Sequence, residues 1–146
     1  MPDLDFYIDA TARGTGKDRE GTVSVDGHSV RFSVPASMGG KGAGASPETL
    51  LISAVTACYS LTLLAYIRKG GLPCDEVAVR TQGVVTGFPR SETYARIVVN
   101  PVFRGGDPRR EKEYETAATE ARDHCFIGQT VAAGGMAYEV GSVGFA

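Results

Sequence analysis

The stretch "SPETLLISAVTACYSLTLLAYIRKGG", residues 46–71, constrains the fold more than any other segment of this chain. Ser46 is placed to cap a helix, Pro47 suits the first helical turn, and Glu48 sets negative charge at the positive end of the helix dipole. Gly70-Gly71 ends the helix after Lys69. Positions 51, 54, 55, 58, 61, 62 and 65 recur at helical spacing, and Cys58 sits in the middle of that stripe. The stripe is expected to face packed protein, so Cys58 is either a small core residue or a nucleophile set where core belongs.

The rest of the chain supplies the elements that cover such a helix. "LDFYIDATA" (4–12), "GTVSVDG" (21–27) and "HSVRFSVP" (28–35) alternate in type, and Asp26-Gly27 is a favoured two-residue turn, so an antiparallel N-terminal sheet is expected. "RGTGKDREG" between the first two strands is a polar loop suited to binding. Gly39, Gly40, Gly42 and Gly44 mark a flexible connection; Gly40-Lys41 is followed by Gly42, which does not fit a phosphate-binding loop.

Downstream, "EVAVRTQGVVTGF" (76–88) and "YARIVVNPVF" (94–103) read as a long hairpin joined by "PRSET". Asp107-Pro108 opens a second helix reaching about Cys125, with Tyr114, Ala117, Ala118, Ala121 and Cys125 on one narrow stripe of mostly small residues. Such a helix packs close to its neighbour. "FIGQTVAA" continues as a short helical piece and "MAYEVGSVGF" (136–145) closes the chain as a strand. Strands, helix, hairpin, helix and strand make an α+β fold, and 146 residues suit a single domain, 1–146, that needs no staples or metal.

Composition narrows the function. With 42% hydrophobic and 22% charged residues and a formal charge of -2, the chain has no basic excess to attract nucleic acid or an anionic membrane. No uninterrupted apolar run approaches the length of about 18 that a spanning helix needs, and the acidic start "MPDLDFYIDA" lacks the regions of a signal peptide, so a cytoplasmic location is expected. Three cysteines without a CxxC spacing suggest neither a disulfide framework nor a zinc ribbon, and with only two histidines, His28 and His124, no metal site is expected. There is no GxSxG for an acyl-transfer nucleophile.

Cys58 and Cys125 both lie on inward stripes, so each could approach the other if the two helices pack together. Buried free cysteine is commonly inert core, and that reading stands beside the redox one. Glu48 precedes Cys58 by ten residues, about 15 Å of helical rise and about 80° of angular offset, so the two cannot touch within one straight helix. For Glu48 to serve Cys58, it must come from a second subunit whose copy of this helix runs antiparallel, as a two-fold dimer provides, or the helix must break between them. Arg13, Lys17 and Arg19 offer the positive charge that lowers a thiol pKa. His124 is read as surface, and Cys74, after Leu72-Pro73, is assigned no role.

"DGHSVRFSVPASMGGKGAGASPETLLISAVTACYSLTL" resembles the core motif of the OsmC/Ohr family, in which a glycine-rich stretch leads to Asn/Ser-Pro-Glu and a helical cysteine ten residues after the Glu. "ARDHCFIGQTV" is similar to that family's second-cysteine segment. The resemblance implies an intertwined two-fold homodimer with central helices sandwiched by sheets, and thiol-dependent reduction of hydroperoxides at the subunit interface. It assigns Cys58 as the peroxidatic cysteine, Cys125 as the resolving cysteine, and Glu48 as the glutamate that pairs with an active-site arginine. That arginine is Arg19 by first choice and Arg13 by second, because the first loop is longer than the family's compact "GGR". Ser46 stands where Asn is usual, and Phe126 follows Cys125 where many relatives have Pro.

The expected activity is reduction of organic hydroperoxides through a Cys58 sulfenic acid and a Cys58–Cys125 disulfide, with an external dithiol or thiol as reductant and no cofactor. The alternative on the same scaffold is an apolar-ligand-binding or redox-sensing protein without significant turnover.

Overall fold

The computed structural model describes residues 2–146 and divides into two compact units, Met1–Leu50 and Leu51–Ala146. In the first, β1 (Asp9–Arg13), β2 (Glu20–Val25) and β3 (His28–Ser33) form an antiparallel sheet in that order. Asp26 and Gly27 close the β2–β3 hairpin with φ of 47° and 81°, the left-handed pair that a tight hairpin turn requires.

The strand expected over 4–12 begins only at Asp9. Asp9 pairs with Ser24, and β2 turns away one residue later, so nothing remains on that edge to pair with earlier residues. Leu4, Phe6, Tyr7 and Ile8 are accordingly exposed. The glycine-rich loop also differs from the slack connection expected. Ser33 N–H donates to Ala45, Ala45 N–H to Arg31 and Gly42 N–H to Val34, which lays the loop along β3. A Cβ at Gly44 would lie 2.4 Å from the Arg31 carbonyl oxygen and one at Gly40 2.2 Å from that of Val34, so these glycines permit close backbone approach.

The long helix forms as its ends dictate. α1 spans Pro47–Lys69, and Ser46 and Thr49 cap it reciprocally: Thr49 N–H donates to the Ser46 hydroxyl and Ser46 N–H to the Thr49 hydroxyl, each at 3.1 Å. Which face it buries departs from the expected stripe. The buried row is Val55, Tyr59, Leu63 and Ile67, while Ala54, Leu61 and Ala65 are exposed and Cys58 lies at the edge, half-buried. Apolar residues surround much of this helix, so spacing alone does not single out the covered side. By length and composition α1 is also apolar enough to cross a membrane; in the fold its buried row packs against protein.

In the second unit, β4 (Glu76–Thr86) and β5 (Thr93–Arg104) make the long antiparallel hairpin. β6 (Ala137–Val140) and β7 (Gly144–Phe145) both run parallel to β5, so the single closing strand expected over 136–145 is two. The break has a local cause. Asn100 on β5 accepts from the Ser142 N–H at 2.8 Å and donates to the Arg80 carbonyl at 3.1 Å, and any Cβ at Gly141 would lie 2.2 Å from its amide oxygen.

A short 3-10 turn, Pro108–Arg110, leads into α2 (Glu111–His124), followed by α3 (Phe126–Ala132). The small-residue stripe behaves as expected: Tyr114, Ala117, Ala118 and Ala121 are the buried residues of α2. They join Tyr59, Leu63, Val99, Phe103 and Cys125 in one core cluster. Because Ala118 has no bulk, the α1 tyrosine reaches the α2 backbone, and the Tyr59 hydroxyl donates to the Ala118 carbonyl at 3.0 Å.

Candidate functional site

Cys125 interrupts the chain between α2 and α3 with extended backbone (φ -75°, ψ 94°), which drives its side chain into the core, where it is 0% exposed. Its sulfur lies 3.9 Å from the carbonyl oxygen of Val55, one turn before Cys58 on α1. Cys58 is half-buried and packs against the same cluster, where its thiol helps push that of Cys125 up. The two cysteines that the sequence placed on separate inward stripes are therefore neighbours, and both are free thiols.

Burial pushes the Cys125 thiol up, and the neighbouring Cys58 adds to that; the Tyr138 hydroxyl and the Gly128 N–H pull the other way. Tyr138 belongs to β6 and packs against both core clusters of this unit. Its hydroxyl oxygen is buried and makes no hydrogen bond of ordinary geometry, with the Cys125 thiol as its polar neighbour. Burial raises the Tyr138 phenol far above its ordinary value, so it keeps its proton. Sequence reasoning passed over this residue. A tyrosine in an alternating strand carries no mark distinguishing it from ordinary core.

The remaining candidates belong to the Met1–Leu50 unit. Glu48 lies in the first turn of α1 and is half-buried. Arg19 is exposed just before β2 and donates from Nε to the Gly16 carbonyl at 2.8 Å. It lines a hollow of about 190 Å³ with Ala12, Phe32, Ser33 and Pro47, the residue before Glu48. Arg13, the second choice, is in β1 and engaged by Glu20 at 3.7 Å.

Glu20 gathers three cations, since Lys41 and Arg31 also reach its carboxylate at 2.8 and 2.9 Å. Their hydrogen bonds, Lys41 first, hold the Glu20 carboxyl down at about 2. The anion ties β1, β3 and the glycine-rich loop to one point. Charge alternation in the sequence does not reveal this, because the partners come from three separate segments.

Cys74 is half-buried, donates to the Glu76 carbonyl at 3.3 Å, and has its thiol pushed up chiefly by burial. His124 is exposed beside the Tyr66 ring, with centroids 5.5 Å apart. Among the described residues, no group of His, Cys, Asp and Glu is arranged to hold a metal ion.

Comparison with known proteins agrees with this architecture. Residues 40–140 match the family model described as OsmC-like protein. The uncharacterized protein YmaD of Bacillus subtilis (strain 168) is 31% identical over 101 residues, covering 69% of this chain and 67% of YmaD. Among solved structures, the organic hydroperoxide resistance protein OsmC of Legionella pneumophila superimposes with a TM-score of 0.74 at 16% identity, over 97% of this chain and 99% of that one. An organic hydroperoxide resistance protein of Elizabethkingia anophelis gives 0.71 at 20% identity, over the whole of both chains. By its matched region, its relative and its fold, this chain belongs to the OsmC-like protein family.

Proposed function

We propose that this protein is a thiol-dependent peroxidase that reduces organic hydroperoxides to alcohols. The Cys58 thiolate attacks the terminal oxygen of ROOH, the O–O bond breaks, ROH leaves, and Cys58 becomes a sulfenic acid. Cys125 condenses with it, expelling water and forming the Cys58–Cys125 disulfide, which an external dithiol or thiol reduces. The observation that carries this reading is the meeting of two free thiols from different elements in one apolar core. The names of the Legionella and Elizabethkingia proteins support the same substrate class.

The family resemblance assigns Arg19 and Glu48 as the ion pair that stabilises the thiolate and the departing alkoxide, with positive charge acting strongly in a water-poor site. Glu48 and Cys58 stand ten residues apart on one helix, so the carboxylate would be supplied across a two-fold homodimer. The exposed Leu61 and Leu64 on α1 and the exposed apolar arm Leu4–Ile8 support a second copy as the cover. Residues 1–146 would act as one functional domain, in the cytoplasm where a thiol reductant is at hand.

The test is turnover of cumene hydroperoxide with a dithiol. Wild type should consume peroxide catalytically, and Cys58→Ser should lose it; full turnover in that variant would falsify the peroxidase reading. A wild type that forms the 58–125 disulfide on oxidation yet does not turn over would instead mark a redox sensor.

A further inference from the structure

A buried hydroxyl without a hydrogen bond is costly, and Tyr138 keeps one beside the core's most buried thiol. The ring is held there by construction. A Cβ at Gly128 would lie 2.2 Å from Tyr138 Cε2 and 2.9 Å from its hydroxyl oxygen, so only glycine at 128 leaves room for this ring position. The other tyrosine nearby is committed elsewhere, because Tyr59 gives its proton to the Ala118 carbonyl at 3.0 Å. As a donor, the Cys125 thiol has only a long contact, 3.9 Å, to the Val55 carbonyl, while the Gly128 N–H also acts on its sulfur. The titratable groups around the Cys125 sulfur are thus Cys58 and Tyr59 from α1 and Tyr138 from β6, with Arg122 of α2 acting on Tyr59.

We propose that Tyr138 is a further catalytic residue, the hydrogen-bond donor that stabilises Cys125 as it becomes a thiolate and attacks oxidised Cys58. The proposal rests on the peroxidase reading above. In that step the Cys125 sulfur bonds to the Cys58 sulfur and the Cys58 S–O bond breaks. The hydroxide that leaves takes up the proton lost by Cys125 and departs as water. Cys58 is reduced from sulfenic acid and Cys125 is oxidised from thiol, so no outside oxidant or reductant enters. A phenol that stays protonated is available to donate to the sulfur as charge develops there, and it does not compete for the proton. The apolar walls strengthen that hydrogen bond by excluding water.

The decisive variant is Tyr138→Phe, which keeps the ring and removes one oxygen. With a stoichiometric pulse of cumene hydroperoxide, formation of the Cys58 sulfenic acid should proceed at the wild-type rate. Closure of the disulfide should slow by about tenfold, the rate equivalent of one hydrogen bond, and dimedone should trap more sulfenic acid. A tyrosine kept only for packing would leave closure unchanged.

A second measurement needs no peroxide. In a Cys58→Ser, Cys74→Ser background, the 13Cβ shift of Cys125 followed against pH should show a titration midpoint at higher pH once Tyr138 is Phe. Equal closure rates together with superimposed titrations overturn the proposal. If wild type forms no sulfenic acid, the peroxidase reading fails on its own, and the titration still decides whether Tyr138 serves the thiolate.

Discussion

Two tyrosines of the same unit, Tyr59 and Tyr138, each bury a hydroxyl, and replacement with Phe should cost stability at Tyr59 and none at Tyr138. The Tyr59 hydroxyl donates to the Ala118 carbonyl at 3.0 Å inside a fully buried contact. Its removal deletes one net hydrogen bond, about 1 kcal/mol, without opening a cavity, because the ring remains. For a chain of this size that corresponds to a fall in Tm of about 3 °C. The Tyr138 hydroxyl is buried without a hydrogen bond of ordinary geometry, so its removal relieves a desolvation cost of about 1 kcal/mol or more. Urea unfolding of the fully reduced protein, with the slope m held in common, measures both changes. Tyr59→Phe should lower the midpoint and Tyr138→Phe should raise it or leave it. Equal losses in both variants would refute the reasoning, since they would mean that the Tyr138 oxygen has a partner as good as a backbone carbonyl.

Ala121→Leu places extra bulk in the 0% exposed stripe of α2 and should destabilise by about 1–3 kcal/mol, seen as a lower urea midpoint. Glu20 is held at about 2 against an ordinary value of 4.5, so the stability it adds is fully present above pH 4.5 and disappears as pH falls from there toward 2. Glu20→Gln should therefore flatten the stability profile in that acid window, with little further pH dependence from this site above it. Cys74→Ser should leave the oxidised mass pattern unchanged, a single 58–125 crosslink being detected after alkylation and digestion. Cys74 should also alkylate more slowly than an unburied thiol at neutral pH, because burial pushes its thiol up.

Local chemistry explains how much of this fold was legible. The helix cap at Ser46 and the stop at Gly70-Gly71 lie within a few residues of what they govern, and α1 has those ends. The Asp26-Gly27 turn and the alanine stripe of α2 are local signals of the same kind, and both formed as read. Where an element depends on a partner far along the chain, spacing loses its grip. The first strand is cut short because β2 turns at Asp26, and the last is broken because Asn100, on another strand, occupies the space beside Gly141.

The sequence by itself determined the α+β order of elements, because capping, turn chemistry and helical spacing act between near neighbours. Only the tertiary structure decided which row of α1 is buried, that Glu20 collects Arg13, Arg31 and Lys41, and that Tyr138 comes to Cys125. Each of these joins residues remote in sequence, so it follows from how the elements pack and from which polar groups that packing deprives of water.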